Sequence, residues 1–273
     1  MAALLLLYLH RNEGEIKMNR EDKAIQIEKN FNSMMAALEA LLDTTANSIN
    51  SLIVSGKGGV GKTYNVDKRL QKADDNYEID YKKVSGKVTT MGLYEALYHS
   101  RHAASVLLLD DVDIFADETN IDLLKAVLDT SEKRVVSYAT AGKYLEQQGI
   151  PKQFEFRGKV IFLTNKNLSQ IAKGKSSLAP HIDALITRSI FIDLQLFTNE
   201  EVMIHIENIM KKANILENQF VSDEGSKQIL NWMLKNEDKL RSPSLRMPVL
   251  MAGMYNKFPY DWEAMCENMF LEK

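Results

Sequence analysis

The chain has 273 residues, 45% of them hydrophobic and 26% charged. That balance excludes a collagenous or disordered chain, and the length suits one large domain or a core plus a smaller one. The 34 Lys and Arg against 37 Asp and Glu leave a formal charge of −3, which excludes a globally basic nucleic-acid coat but leaves room for a local basic patch. The lone cysteine, Cys266, excludes an intrachain disulfide and a cysteine-based zinc cluster, so a reducing compartment is expected.

In chain order, the opening MAALLLLYLH has an apolar run from Leu4 to Leu9. It is far shorter than the ~20 residues of a spanning helix. No basic residue precedes it and no small-residue cleavage site follows, so it does not read as a signal peptide. Residues 1–17 are expected to be a poorly structured extension or a start set too early, with Met18 the alternative start. No other segment is long and apolar enough for a membrane span. From Glu21 to Asn47, Ile25, Ile27, Phe31, Met34, Met35, Leu38, Leu41 and Leu42 recur near helical spacing. Ser51 to Ser55 is a short apolar run ending in glycines, read as a buried strand. A helix is expected over Tyr64–Ala73, an edge strand over Ile79–Val84 and a helix over Thr90–Arg101. Ser105–Leu109 has no polar interruption, which suits a strand buried on both faces. A helix over Asn120–Thr130 and two short strands, Arg134–Ala139 and Phe154–Phe156, precede buried strands at Val160–Leu163 and Ile190–Leu194. After Thr198 the pattern turns all-helical: Glu200–Ala213, Asp223–Asn236, Pro243–Tyr255 and Trp262–Leu271. This order predicts a parallel α/β core over 18–197 followed by a small helical lid domain over 198–273.

The most specific signal is Gly56-Lys57-Gly58-Gly59-Val60-Gly61-Lys62-Thr63, which fits G-x-x-x-x-G-K-[ST] between a strand and a helix, the Walker A phosphate loop. Glycines let several backbone N–H groups converge on one phosphate chain, and the following helix N-terminus favours the anion. Lys62 would neutralise the β- and γ-phosphates of ATP, and the Thr63 hydroxyl would ligate Mg²⁺.

The run Val106-Leu107-Leu108-Leu109-Asp110-Asp111-Val112-Asp113 is an apolar strand ending in carboxylates, as in a Walker B segment. Asp110 would hold the Mg²⁺ shell and Asp111 would orient or deprotonate an attacking water. Asp113 reads as a cap or surface residue. Asn165, at the tip of the strand Val160–Leu163, would position that water near the γ-phosphate, although Asn is also a common strand-end turn former. Arg188 and Arg246 each carry a guanidinium able to stabilise a transferring phosphoryl group. Spacing alone would more often make each a surface salt-bridge residue. His99, His102 and His181 lack metal-ligand spacing. Met247, Met251 and Met254, with Trp232 and Trp262, read as packing of the helical domain.

Together these motifs resemble the AAA+ ATPases over Ser51 to about Tyr255, with wording similar to ATPases encoded by tailed bacteriophages. The resemblance rests on the phosphate loop, Asp110-Asp111, Asn165, the Leu-x-x-Arg ending in Arg188 and the Ser-Leu-Arg ending in Arg246, in the family's order. It implies that Arg188 is an arginine finger reaching a neighbour's nucleotide and that Arg246 is a second sensor. It implies a homo-oligomeric ring that couples Mg²⁺-dependent ATP hydrolysis to a DNA or replication protein client, in the cytoplasm of a host cell if phage-encoded. The chain departs from the family in having Asp111 where Glu is usual, and it has no clear aromatic-hydrophobic-Gly pore loop. The stretch Arg134–Arg157 could be a hairpin like the one some DNA-translocating members insert, with Lys143, Tyr144 and Lys152 exposed. Three alternatives stand beside this reading. One is a deviant-loop partition ATPase dimer with Lys57 as its signature lysine. The others are a weakly hydrolysing nucleotide-gated adaptor and a small-molecule kinase. On the AAA+ reading, Lys57 is a solvated loop residue.

Overall fold

The computed structural model describes residues 19–43, 49–139 and 143–272. The expected extension over 1–17 lies outside them. The first described element, α1 (Arg20–Leu42), starts where the Asn19 side chain accepts from the Asp22 amide at 2.8 Å. Its stripe of Ile27, Met34, Leu38 and Leu41 is buried. The Lys159 ammonium donates to the Leu41 and Asp43 carbonyls at its end, where orphan carbonyls need donors.

Strand and helix then alternate through β1 (Ser51–Ser55), α2 (Lys62–Asp75), β2 (Asp80–Ser85), α3 (Thr90–His99), β3 (Ser105–Asp110) and α4 (Glu118–Val127). Next come β4 (Arg134–Ser137), a one-turn α5 (Tyr144–Gln147), β5 (Gln153–Phe156) and β6 (Lys159–Thr164). Two short helices, α6 (Leu168–Lys173) and α7 (Ala179–Ile186), lead to β7 (Ile190–Asp193). Five strands form a parallel sheet in the order β2-β3-β6-β1-β7. Strand alternation divides its side chains between two apolar clusters. Leu108, Ile161 and Leu163 face α1 and the C-terminal helices, while Leu107, Leu109 and Phe162 face α3 and α4. Burial on both faces is why β3 and β6 read as unbroken apolar runs.

β4 and β5 pair antiparallel, Arg134 opposite Phe156 and Ser137 opposite Gln153, as a hairpin outside the main sheet. Its base is anchored by buried Arg134, whose guanidinium donates to the Val127 and Gly158 carbonyls at 2.8 and 3.0 Å. A Cβ at Gly158 would lie 2.1 Å from the Ser100 carbonyl oxygen, so only glycine permits that approach.

The C-terminal helices are α8 (Asn199–Lys212), α9 (Asp223–Lys235), α10 (Arg246–Lys257) and α11 (Trp262–Phe270). A capping box fixes the start of α8: Thr198 Oγ1 accepts from the Glu201 amide, and Glu201 accepts from the Thr198 amide. Trp232 and Trp262 pack with ring centroids 6.3 Å apart, and Met247 and Met251 are buried beside them. These helices share one apolar cluster with α1 and one face of the sheet.

Candidate functional site

The sheet order sets the site. β6 lies between β3 and β1, with Asp110, Leu163 and Val54 level across the three strands. Asp110-Asp111, Asn165 and the loop after Ser55 therefore leave the same carboxyl edge side by side, where ligands of parallel sheets gather. The Gly56 amide donates to the Thr164 carbonyl and the Lys57 amide to the Leu196 carbonyl, at 3.2 and 2.7 Å, which hold the loop between the flanking chains.

Gly59 and Gly61 have φ of 75° and 94°, a region that strongly favours glycine. A Cβ at Gly59 would fall 2.7 Å from the Ser244 Cβ, and one at Gly58 would fall 3.3 Å from the Asn165 amide nitrogen. The loop is thus a cradle that side chains would fill. Gly61 caps α2 without a side chain, so the first-turn amides of α2 are left for an anion.

Lys62 is buried at the centre. Its ammonium donates to the Gly56 and Lys57 carbonyls and to Asn165 Oδ1, the last at 2.9 Å. Burial lowers its pKa to about 8, against the upward pull of Asp111 and Asp110. Thr63 Oγ1 donates to Asp110 Oδ1 at 2.8 Å. Asn165 Nδ2 donates to Asp111 Oδ2 at 2.7 Å. Asp111 takes a left-handed φ of 53° with its amide donating to the Leu163 carbonyl, a turn that brings its carboxylate to Asn165. The structure therefore joins Lys62, Thr63, Asp110, Asp111 and Asn165 in one connected set. The oxygens of Thr63 and Asp110 suit a hard cation that takes its remaining ligands from phosphates and water. Among the described residues, no cluster of three or more His, Cys, Asp or Glu could hold a metal ion by itself.

The two arginines part company. Arg246 is the first residue of α10 and exposed, directly after Leu245, whose amide donates to the Gly59 carbonyl at 2.8 Å. Arg188 precedes β7 (Ile190–Asp193), at the opposite end of that strand from the loop, and the strand alone spans about 13 Å at ~3.3 Å per residue. Its guanidinium donates to the Ala184 carbonyl of the preceding helix α7 at 2.8 Å.

Lys57 departs from the sequence reading and is not a merely solvated residue: its ammonium donates to Asn199 Oδ1 at the start of α8, at 2.6 Å. Asp113 is the surface residue of the two readings the sequence allowed: it is exposed, makes no side-chain cap to the turn Ile114–Ala116 and pairs with Lys166 at 2.9 Å. Lys83, on the edge strand β2, bridges Asp110 Oδ2 at 3.2 Å and Asp67 Oδ2 of α2 at 2.8 Å; β2 gave only an edge-strand pattern, with no signal for this role. His205 of α8 also escaped the sequence. Its Nε2 lies 2.9 Å from the Val60 carbonyl, and its ring stacks on Phe31 of α1 at 4.4 Å between centroids and 11° between planes. Within the hairpin, Tyr144 reaches Glu95 at 3.4 Å and Lys152 pairs with Glu146 at 3.7 Å. His181 meets Lys125, and His99 lies beside Glu95.

A protein of Enterobacteria phage T4, the uncharacterized 36.7 kDa protein of the nrdC-mobD intergenic region, is 41% identical over 249 residues, 91% of this chain and 76% of the phage protein. The chain belongs to that phage protein's family. No protein-family model matches this member of it. Among solved structures, domain III of the Thermotoga maritima replication initiation protein DnaA superposes with a TM-score of 0.50 at 13% identity, over 89% of this chain and 93% of that one. The Thermotoga maritima RuvB Holliday junction branch migration motor gives 0.49 at 14% identity, over 89% and 68%. The likeness to the DnaA domain shows that this chain has the fold of the AAA+ P-loop NTPases: a parallel five-stranded sheet with helices and a helical C-terminal region. Among the described residues, no helix is long and apolar enough to cross a membrane.

Proposed function

We propose that the chain is an AAA+ ATP hydrolase that requires Mg²⁺ and works as a ring on a DNA- or replication-linked client in the host cytoplasm. The observation that carries this reading is the connected set at the sheet edge, with Lys62 inside a glycine cradle and two carboxylates at the adjoining strand tip. The loop amides and Lys62 would bind and orient the phosphate chain. Thr63 and Asp110 would hold Mg²⁺, which when bound supplies charge neutralisation to the phosphates. Asp111 would accept the proton of the attacking water and Asn165 would hold that water in line. Arg246 would reach the γ-phosphate from the 198–273 lid, and Arg188 would serve a neighbour's nucleotide.

The client is proposed from the likeness to domain III of DnaA, a replication initiation protein, and from the β4–β5 hairpin that the chain inserts before β6. The partition-type alternative is disfavoured because the Lys57 ammonium is held by Asn199 of the same chain. Steady-state ATP turnover with Mg²⁺, measured alone and with single-stranded DNA, double-stranded DNA or peptide, tests the reading. We expect turnover that DNA raises and that Lys62→Ala abolishes along with nucleotide binding. Tight ATP binding by Lys62→Ala would refute the site, and negligible turnover under every condition would favour a nucleotide-gated adaptor.

A further inference from the structure

Two consecutive carbonyls of the phosphate loop are held by the C-terminal region, one by the arm before α10 and one by α8. The Leu245 amide donates to the Gly59 carbonyl, and His205 meets the Val60 carbonyl at 2.9 Å. A carbonyl only accepts, so His205 carries its proton on Nε2. The described chain has no cis peptide bond, and in a planar trans peptide the N–H points away from the preceding C=O. Fixing the Val60 carbonyl toward His205 therefore fixes the Gly61 N–H on the side away from His205. The ring is buried, so turning it away would leave its N–H without a partner.

We propose that His205 is a positioning residue for phosphate binding: it holds the Val60–Gly61 peptide so that the Gly61 amide is already aimed at the anion. It thereby ties α1 and α8 to the loop. Pre-set donors bind more tightly because less ordering is required on binding. This inference rests on the nucleotide reading above.

The test uses the full-length protein, a fluorescent ATP analogue with Mg²⁺, and thermal unfolding beside each titration. His205→Leu, which keeps the volume and loses the donor, is expected to weaken binding about tenfold. His205→Gln, whose terminal amide can reach the same carbonyl, is expected to recover most of that loss. Phe31→Leu, which loosens the packing and leaves the His205 bond in place, is expected to lower Tm while keeping affinity within about threefold of wild type. Equal affinity in wild type and His205→Leu would overturn the inference, as would a Gln variant as weak as the Leu variant. A loss by Phe31→Leu as large as that by His205→Leu would do the same. Should His205→Leu not fold, Gln against the shorter Asn decides: tighter binding by Gln supports the inference and equal binding overturns it. A wild type that binds no analogue would overturn the nucleotide reading itself, whereas binding by wild type that is unchanged in His205→Leu overturns this inference alone.

Discussion

Asp111 and His205 show what one side chain does at this edge and how much of that a sequence discloses. Asp111 was legible because an apolar strand ending in carboxylates beside a phosphate loop is a chemical pattern. Its left-handed backbone was not, since nothing in the run announces that turn. On the proposed role, Asp111→Asn keeps the side-chain volume and the approach to Asn165 but cannot take a proton. It is expected to bind ATP normally and to turn over at least about a hundredfold more slowly; unchanged turnover in a steady-state assay would remove the role. His205 sits among apolar neighbours in a helix, and no motif marks it. Burial pushes its imidazole down to about 4, against a weaker opposing pull from its bond to the Val60 carbonyl. The folded state therefore binds fewer protons than the unfolded chain between pH 6.5 and about 4. The sign follows: the stabilisation is full above pH 6.5 and is lost as pH falls toward 4, up to ~3 kcal/mol. Denaturant titrations should show wild type losing stability over that window more steeply than His205→Gln. Parallel pH profiles for the two proteins would contradict the buried neutral histidine.

At the scale of elements, the runs that are buried on both faces declared themselves. β1, β3 and β6 fall within a residue or so of their expected limits because nothing polar interrupts them. Helices α6 and α7 went unread: six and eight residues are too few for a clear period beside the polar stretch between them. The expected helix over Pro243–Tyr255 begins only at Arg246, because Pro243, Ser244 and Leu245 approach the phosphate loop as a non-helical arm. That contact makes Gly59 a hinge point between two elements. A Cβ there meets both the φ of 75° and the Ser244 Cβ at 2.7 Å. Gly86, with φ of 79° and open space around it, meets only the first. Gly86→Ala should therefore lose about 1 kcal/mol of stability and leave nucleotide binding alone. Gly59→Ala should lose more stability and also weaken binding, since either the loop or the arm must shift. Equal losses of Tm in the two variants, with equal affinity, would show that the Ser244 contact does not matter.

For the whole molecule, the sequence supplied the α/β-then-helical order but not the way the parts join. The C-terminal helices do not enclose a core of their own; they share an apolar cluster with α1 and one sheet face. Arg188 is the residue whose meaning lives only at this scale. Its chain position marked it, but its distance from the loop appears only once β7 is placed, and that distance is a full strand. A guanidinium held against the preceding helix at the amino edge cannot serve the phosphate loop at the carboxyl edge of the same chain. If it acts in hydrolysis, the loop it serves belongs to another copy. Arg188→Ala is then expected to bind ATP as wild type does and to hydrolyse it far more slowly, since such a residue is worth about 10³–10⁵ in rate. Lys62→Ala alone is expected to be inactive for a different reason, having a sound Arg188 and a defective loop. Mixed together, the two variants bring the intact loop of one against the intact Arg188 of the other, and part of the turnover should return as the ratio approaches equality. A mixture that stays as inactive as its components would place Arg188 outside any shared site.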